Sequence, residues 1–119
     1  LSLHDALPIF LNENLQGVKV PPVAPEAEHV YHQYTIRISE DRDGFAAALK
    51  EEYQVGSGVY YPIPNHRLPS LAPYAKGLEL PHTEKAAKEC LSLPVHPSLS
   101  QDDLERIVEA VNKLAKAGA

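Results

Sequence analysis

Between residues 30 and 38 apolar and polar positions alternate, with Val30, His32, Tyr34, Ile36 and Ile38 on one face and Tyr31, Gln33, Thr35 and Arg37 on the other. A period of two over β-branched and aromatic side chains predicts a half-buried strand. The period then changes. Phe45, Leu49 and Tyr53 recur every four residues in an alanine-rich stretch that Asp41 or Asp43 can cap, which predicts a helix packed on the apolar face of that strand. Near the C-terminus Leu104, Ile107, Val108, Val111, Leu114 and Ala115 form a second helical stripe. Ser100 and Asp103 stand before it at capping-box spacing, with Asp in the place usually taken by Glu or Gln.

Between these anchors the signals are shorter. Residues 10–15 can complete a helical turn or two, ended by Gly17 in a left-handed cap, and the prolines of VKVPPVAPEAE then mark an extended connector. Gly56 and Gly58 bracket Ser57 ahead of a short strand at 59–61, which Pro62 and Pro64 stop. Residues 65–80 are irregular apart from one helical turn near 71–74. Pro81 opens a helix over 81–90, and 91–95 reads as a third strand with Leu91, Leu93 and Val95 buried. The sum is an α+β domain: a small, roughly three-stranded, mostly antiparallel sheet, covered by helices on one side and open on the other.

A length of 119 residues allows one domain with a modest core. Eleven basic against sixteen acidic residues give a net charge of −5, spread along the chain, which argues against nucleic acid and anionic membranes as partners. No apolar run approaches the ~20 residues that span a bilayer. The single cysteine, Cys90, can form no internal disulfide, so a reducing, cytoplasmic setting is expected. Residues 1–9, LSLHDALPI, lack the basic start, long apolar stretch and cleavage site of a signal peptide. They resemble a translated sequencing adapter and are expected to be foreign to the protein.

The run VGSGVYYPIPNHRLPSLAPYAKGLELPHTEKAAKECLSLPVHPSL, with HVYHQYTIRI before it and SLSQDDLERIVEAV after it, resembles the C-terminal small domain of the DegT/DnrJ/StrS-type aminotransferases. The resemblance implies a fold-type I pyridoxal-phosphate transferase that installs amino groups on nucleotide-linked sugars. It also implies a division into 1–9 (non-native), 10–28 (end of an interdomain helix and connector) and 29–116 (small domain). The family keeps its Schiff-base lysine, pyridine acid and phosphate donors in the large domain. The seven lysines here sit in a connector, a loop or helices and read as solvated. On this reading the chain alone is inactive and binds no cofactor. The parent takes a nucleotide-sugar and an amino-acid donor and pairs as a homodimer through the large domain.

In the family the small domain walls the substrate cleft through a pattern close to G-V-H-Y-P-x-P-L-H. Here residues 58–66 read GVYYPIPNH, with Tyr60 replacing histidine and Asn65 replacing leucine. Tyrosine keeps a hydrogen-bonding edge but removes an imidazole that titrates near neutrality. The candidate substrate contacts are Tyr60, Tyr61 and His66, with one tyrosine expected to pack inward and the other to present its phenol to a sugar. Arg37 is a candidate for the carboxylate of the amino donor, against an ordinary edge arginine. His29 and His32 fall on opposite faces of a strand, which defeats chelation of one metal, and a partly buried His32 against Tyr34 is expected instead. Cys90 near a helix end is a poor thiolate, and GSG at 56–58 is too short for a phosphate loop. Two other readings stay open: a dehydratase-type family member with histidine in place of the lysine, and a stand-alone domain binding a partner through its bare sheet face.

Overall fold

The computed structural model describes residues 3–118. In order these form α1 (Leu3–Asn14), β1 (Tyr34–Arg37), α2 (Arg42–Tyr53), α3 (Pro81–Glu89), β2 (Cys90–Leu93) and α4 (Gln101–Ala117), with single 3-10 turns at Asn65–Arg67 and Ala72–Tyr74. β1 and β2 pair antiparallel, Tyr34 opposite Leu93 and Ile36 opposite Leu91. That register puts all four side chains on one face. There α1, α2 and α4 cover them with Leu7, Leu11, Leu49, Leu104, Ile107 and Val111, joined by Leu15 just after α1. Each fully buried leucine, isoleucine or valine stabilises the fold by roughly 1.5–3 kcal/mol.

The capping signals are realised in detail. Ser100 accepts from the Asp103 amide at 3.1 Å while Asp103 accepts from the Ser100 amide at 2.9 Å, and this pairing holds the Asp103 carboxyl below its ordinary range. Asp41 caps α2 through the Gly44 amide. At the other end of the core Asn112 of α4 accepts from the Gln16 amide and donates to the Asn14 carbonyl, satisfying groups that α1 leaves open as it ends. Gly17 follows at φ +76°, and a Cβ there would stand 2.9 Å from Ala115 Cβ. Only glycine permits both the turn and the approach.

Four expectations change. The sheet has two strands, not three: residues 59–61, expected as a strand, join no ladder, and only Gly58 just before them makes a single bridge, with Ser92 on the outer edge of β2. Beyond it Pro62 and Pro64 have no amide hydrogens to continue a ladder. The first strand begins at Tyr34 rather than residue 30, because Tyr31 lies at φ +47° and turns the chain, its ring stacked on His29 at 4.0 Å. Val30 and His32 are therefore exposed, whereas a partly buried His32 was expected. The helix whose end was expected over residues 10–15 runs back to Leu3, with Leu7 continuing the four-residue stripe of Leu11 and Leu15 and with Pro8 fully buried. Of the segment 1–9, residues 1 and 2 lie outside the described residues.

The second sheet face is not bare. α3 lies against it, held by Glu89, whose Oε2 accepts a hydrogen bond from Arg37 Nε at 2.9 Å and stands 2.8 Å from Arg37 Nη2 in the same ion pair. Thr35 and Ser92, directly opposite in the ladder, share a 2.8 Å hydroxyl contact on the same face.

Candidate functional site

Between that face, α3 and the segment 58–66 lies a pocket of about 690 Å³. Thr35 and Ser92 line it from the sheet, Thr83, Ala86 and Ala87 from α3, and Val59, Tyr60, Tyr61, Ile63 and His66 from the segment that crosses its mouth. The size suits a small-molecule ligand. Tyr60 and Tyr61 are 59 % and 79 % exposed, so neither packs inward as expected of one of them. Tyr60 instead folds back over Gly58, where a Cβ would meet its ring at 2.8 Å. Because 59–61 is not a strand, adjacent side chains there need not alternate between core and solvent.

His66 is buried at the end of this segment. Its Nε2 donates to Glu84 Oε1 at 3.0 Å, and the same oxygen accepts from Arg67 Nε at 2.9 Å and Arg67 Nη2 at 2.6 Å. Three N–H groups thus converge on one carboxylate in the first turn of α3. The His66 bond, followed by those of Arg67, holds the Glu84 carboxyl below its ordinary range. The other ring nitrogen, Nδ1, is buried with no partner among the described residues.

The pocket brings together Tyr60, Tyr61 and His66 and leaves out Arg37, whose guanidinium is engaged by Glu89. In its place stands Arg42, which no sequence signal singled out. The Arg42 side chain is 8 % exposed, donates from Nη1 to the carbonyls of Ala87 at 2.7 Å and Cys90 at 3.0 Å, and donates from Nε to Asp43 at 2.8 Å. It caps the C-terminus of α3, where a cation opposes the helix dipole. The partners lie 45 and 48 residues along the chain, so spacing could not reveal them. Glu84, equally unmarked, sits 18 residues from His66.

The lining contains neither lysine nor carboxylate, and all seven lysines of the chain are exposed. A pyridoxal-phosphate site needs a Schiff-base lysine and an acid at the pyridine nitrogen, so the residues of this pocket do not fit that cofactor. Burial, with Tyr31 beside it, raises the Tyr34 phenol well above the usual tyrosine range, and its hydroxyl donates to Asn12 of α1, outside the pocket lining. Among the described residues there is no cluster of metal-ligating side chains, and no helix is long and apolar enough to cross a membrane.

The chain resembles proteins of known sequence and structure over most of its length. It is 47 % identical over 105 residues to the Pleiotropic regulatory protein of Geobacillus stearothermophilus, an alignment spanning 86 % of this chain and 27 % of that protein. It is 33 % identical over 107 residues to the 3-oxo-glucose-6-phosphate:glutamate aminotransferase of Bacillus subtilis (strain 168), spanning 87 % and 24 % respectively. Among solved structures, DesV of S. venezuelae in complex with a ketimine intermediate superposes with a TM-score of 0.83 at 31 % identity, over 95 % of this chain and 31 % of that one. The ntda structure from Bacillus subtilis with bound cofactor PMP gives 0.76 at 33 %, over 96 % and 27 %. The chain therefore spans about a quarter of the length of these curated relatives. The model of the DegT/DnrJ/EryC1/StrS aminotransferases matches residues 7–112, and the chain belongs to that family.

Proposed function

We propose that this chain is the C-terminal small domain of a pyridoxal-phosphate sugar aminotransferase and forms one wall of its substrate cleft. The observation that carries the reading is the pocket on the second sheet face, crossed by Tyr60, Tyr61 and His66, in a chain whose relatives are named as sugar transaminases. The parent enzyme moves an amino group from a glutamate-like donor to a nucleotide-linked keto-sugar. The exposed phenols of Tyr60 and Tyr61 offer flat rings and hydroxyls to the sugar. His66 sets the position of that wall through Glu84, and Arg37 serves as the partner of Glu89 that holds α3 to β1. The Schiff-base lysine and the cofactor's other partners belong to the part of the relatives' length that this chain does not span. Alone, the chain is inactive.

Large apolar side chains left exposed from Tyr60 to Leu80, among them Ile63, Leu71 and Tyr74, support the companion proposal that this side meets the large domain in a cytoplasmic homodimer. The test is a chimera. Residues 7–112 replace the matched segment of the Bacillus subtilis aminotransferase, and transamination is assayed with that enzyme's own substrates. Retained activity that falls when Tyr61 is changed supports the reading. A folded, cofactor-loaded chimera with no amino transfer overturns it.

A further inference from the structure

The alternating pattern and the backbone conflict over residues 30–33. Apolar and polar positions alternate from Val30 to Ile38 as if in one strand, yet β1 begins at Tyr34 because Tyr31 holds φ +47°, a left-handed conformation that a bulky side chain rarely adopts. Such a residue persists only where its surroundings hold it. The Tyr31 amide donates to His29 Nδ1 at 2.8 Å, and the Tyr31 ring stacks on the His29 ring at 4.0 Å and on the Tyr34 ring at 6.0 Å. The Tyr31 hydroxyl accepts from Asn12 at 3.3 Å, which ties the turn to α1. A backbone amide can only donate, so its bond to His29 exists only while Nδ1 carries no proton. An imidazolium can still stack on the phenol, but both of its nitrogens carry hydrogen and the amide loses its acceptor. Glu28 and His32 flank His29 along the chain, the Asn12 side chain is uncharged, and no ion pair reaches the His29 ring among the described residues.

The ladder has room for what the turn prevents. Ile38, opposite Glu89 in the register of β1 and β2, donates to the Glu89 carbonyl at 2.9 Å. Bonded pairs recur at every second residue of an antiparallel ladder, so Ile36–Leu91 and Tyr34–Leu93 follow, and the next in line is His32–Val95. Neither His32 nor Val95 now belongs to a strand. Pro94 does not block that pair, because its missing amide falls on the outer edge of β2, the side on which Ser92 bonds Gly58. We propose that residues 29–33 form a pH-sensitive switch between two backbones: the left-handed turn held by neutral His29, and an extended form in which Tyr31 leaves Asn12 and β1 gains the His32–Val95 pair. The turn accepts a proton on His29 less readily than the extended form does. It is therefore favoured at high pH and lost as the pH falls through the range in which imidazoles titrate, about pH 8 to pH 5. The switch sits in the connector between α1 and β1 and does not rest on the role given to the pocket.

The test uses the chain itself, labelled for amide NMR, with the exposed His29 replaced in His29→Ala. At about pH 8 the Tyr31 amide should exchange ~10-fold more slowly in the wild type than in the variant, the size of one net hydrogen bond, and at about pH 5 the two rates should converge. Over the same range the wild-type coupling between the Tyr31 amide and α protons should rise toward the extended value, and a nuclear Overhauser contact between the His32 and Val95 amides should appear. His29→Ala should show both features at either pH. His32→Gln and His96→Gln remove the neighbouring imidazoles, that of His96 falling opposite Tyr31 in the extended register, and each should keep the transition. A transition that survives in His29→Ala, or vanishes in His32→Gln or His96→Gln, overturns the assignment to His29. Loss of Tyr31 protection without the His32–Val95 contact overturns the strand extension. A Tyr31 coupling and exchange ratio that stay constant across the range overturn the switch.

Discussion

The two faces of the sheet are built on different principles. On one, Tyr34, Ile36, Leu91 and Leu93 meet three helices, and the contact is apolar and closed. On the other, α3 and the segment 58–66 are held by polar links: Arg37 to Glu89, His66 and Arg67 to Glu84, Arg42 to the end of α3. The first face draws its stability from burial, which is insensitive to direction. The second uses directional bonds to keep a pocket open, and it leaves Tyr60, Tyr61 and Tyr74 in solvent. One side folds the chain, and the other presents chemistry.

That contrast breaks first at α4. Leu104→Asp buries an unpaired carboxylate in the closed face and should cost several kcal/mol, enough to unfold the chain by circular dichroism. A folded variant would show that the face is not closed. Gly17→Ala comes next: the left-handed turn and the 2.9 Å approach to Ala115 should cost about 1–2 kcal/mol in urea denaturation. An unchanged midpoint would mean that the junction of α1 and α4 yields.

On the open face Glu84→Gln should lower the melting temperature less than either change and should act locally, speeding amide exchange across 60–67 while α4 stays protected. Its pH dependence sharpens the point. The native Glu84 carboxyl lies below its ordinary value, so its contribution is complete above the unfolded value of about 4.3 and is lost as the pH falls through the lower native value. Thermal melts between pH 6 and pH 2 should therefore show an acid-side loss in the wild type that the Gln variant lacks in part; identical profiles would remove Glu84 as the anchor of the wall. Smallest for stability is Tyr61→Phe, expected within about 0.5 kcal/mol of the wild type because the side chain is mostly in solvent. In the chimera the same change should raise the apparent substrate constant, and an unchanged constant would take Tyr61 out of the site.

The closed face was the more legible of the two. The stripe of α4 and its Ser100–Asp103 box, the four-residue spacing of α2 and the alternation of Tyr34, Ile36 and Ile38 are local patterns that burial and capping reward directly. Misreadings cluster where a backbone turn overrides a pattern. Tyr31 at positive φ cuts the alternating run before Val30 and His32 can join the strand, and the prolines after Tyr61 leave a single bridge where a third strand was expected. The site was half legible: Tyr60, Tyr61 and His66 lie in one contiguous motif, whereas Arg42 and Glu84 act on partners far along the chain.

The amino-acid sequence by itself determined the α+β class, the positions of the major helices, the caps and the tyrosine-proline segment, because each follows from periodicity and short-range hydrogen bonding within a few residues. Tertiary structure alone decided that Arg37 is taken up by Glu89, that Arg42 faces the pocket, and that one carboxylate of α3 holds both His66 and Arg67. Those outcomes depend on which distant groups the packed core brings within about 3 Å of each other, the range over which a hydrogen bond or ion pair is made.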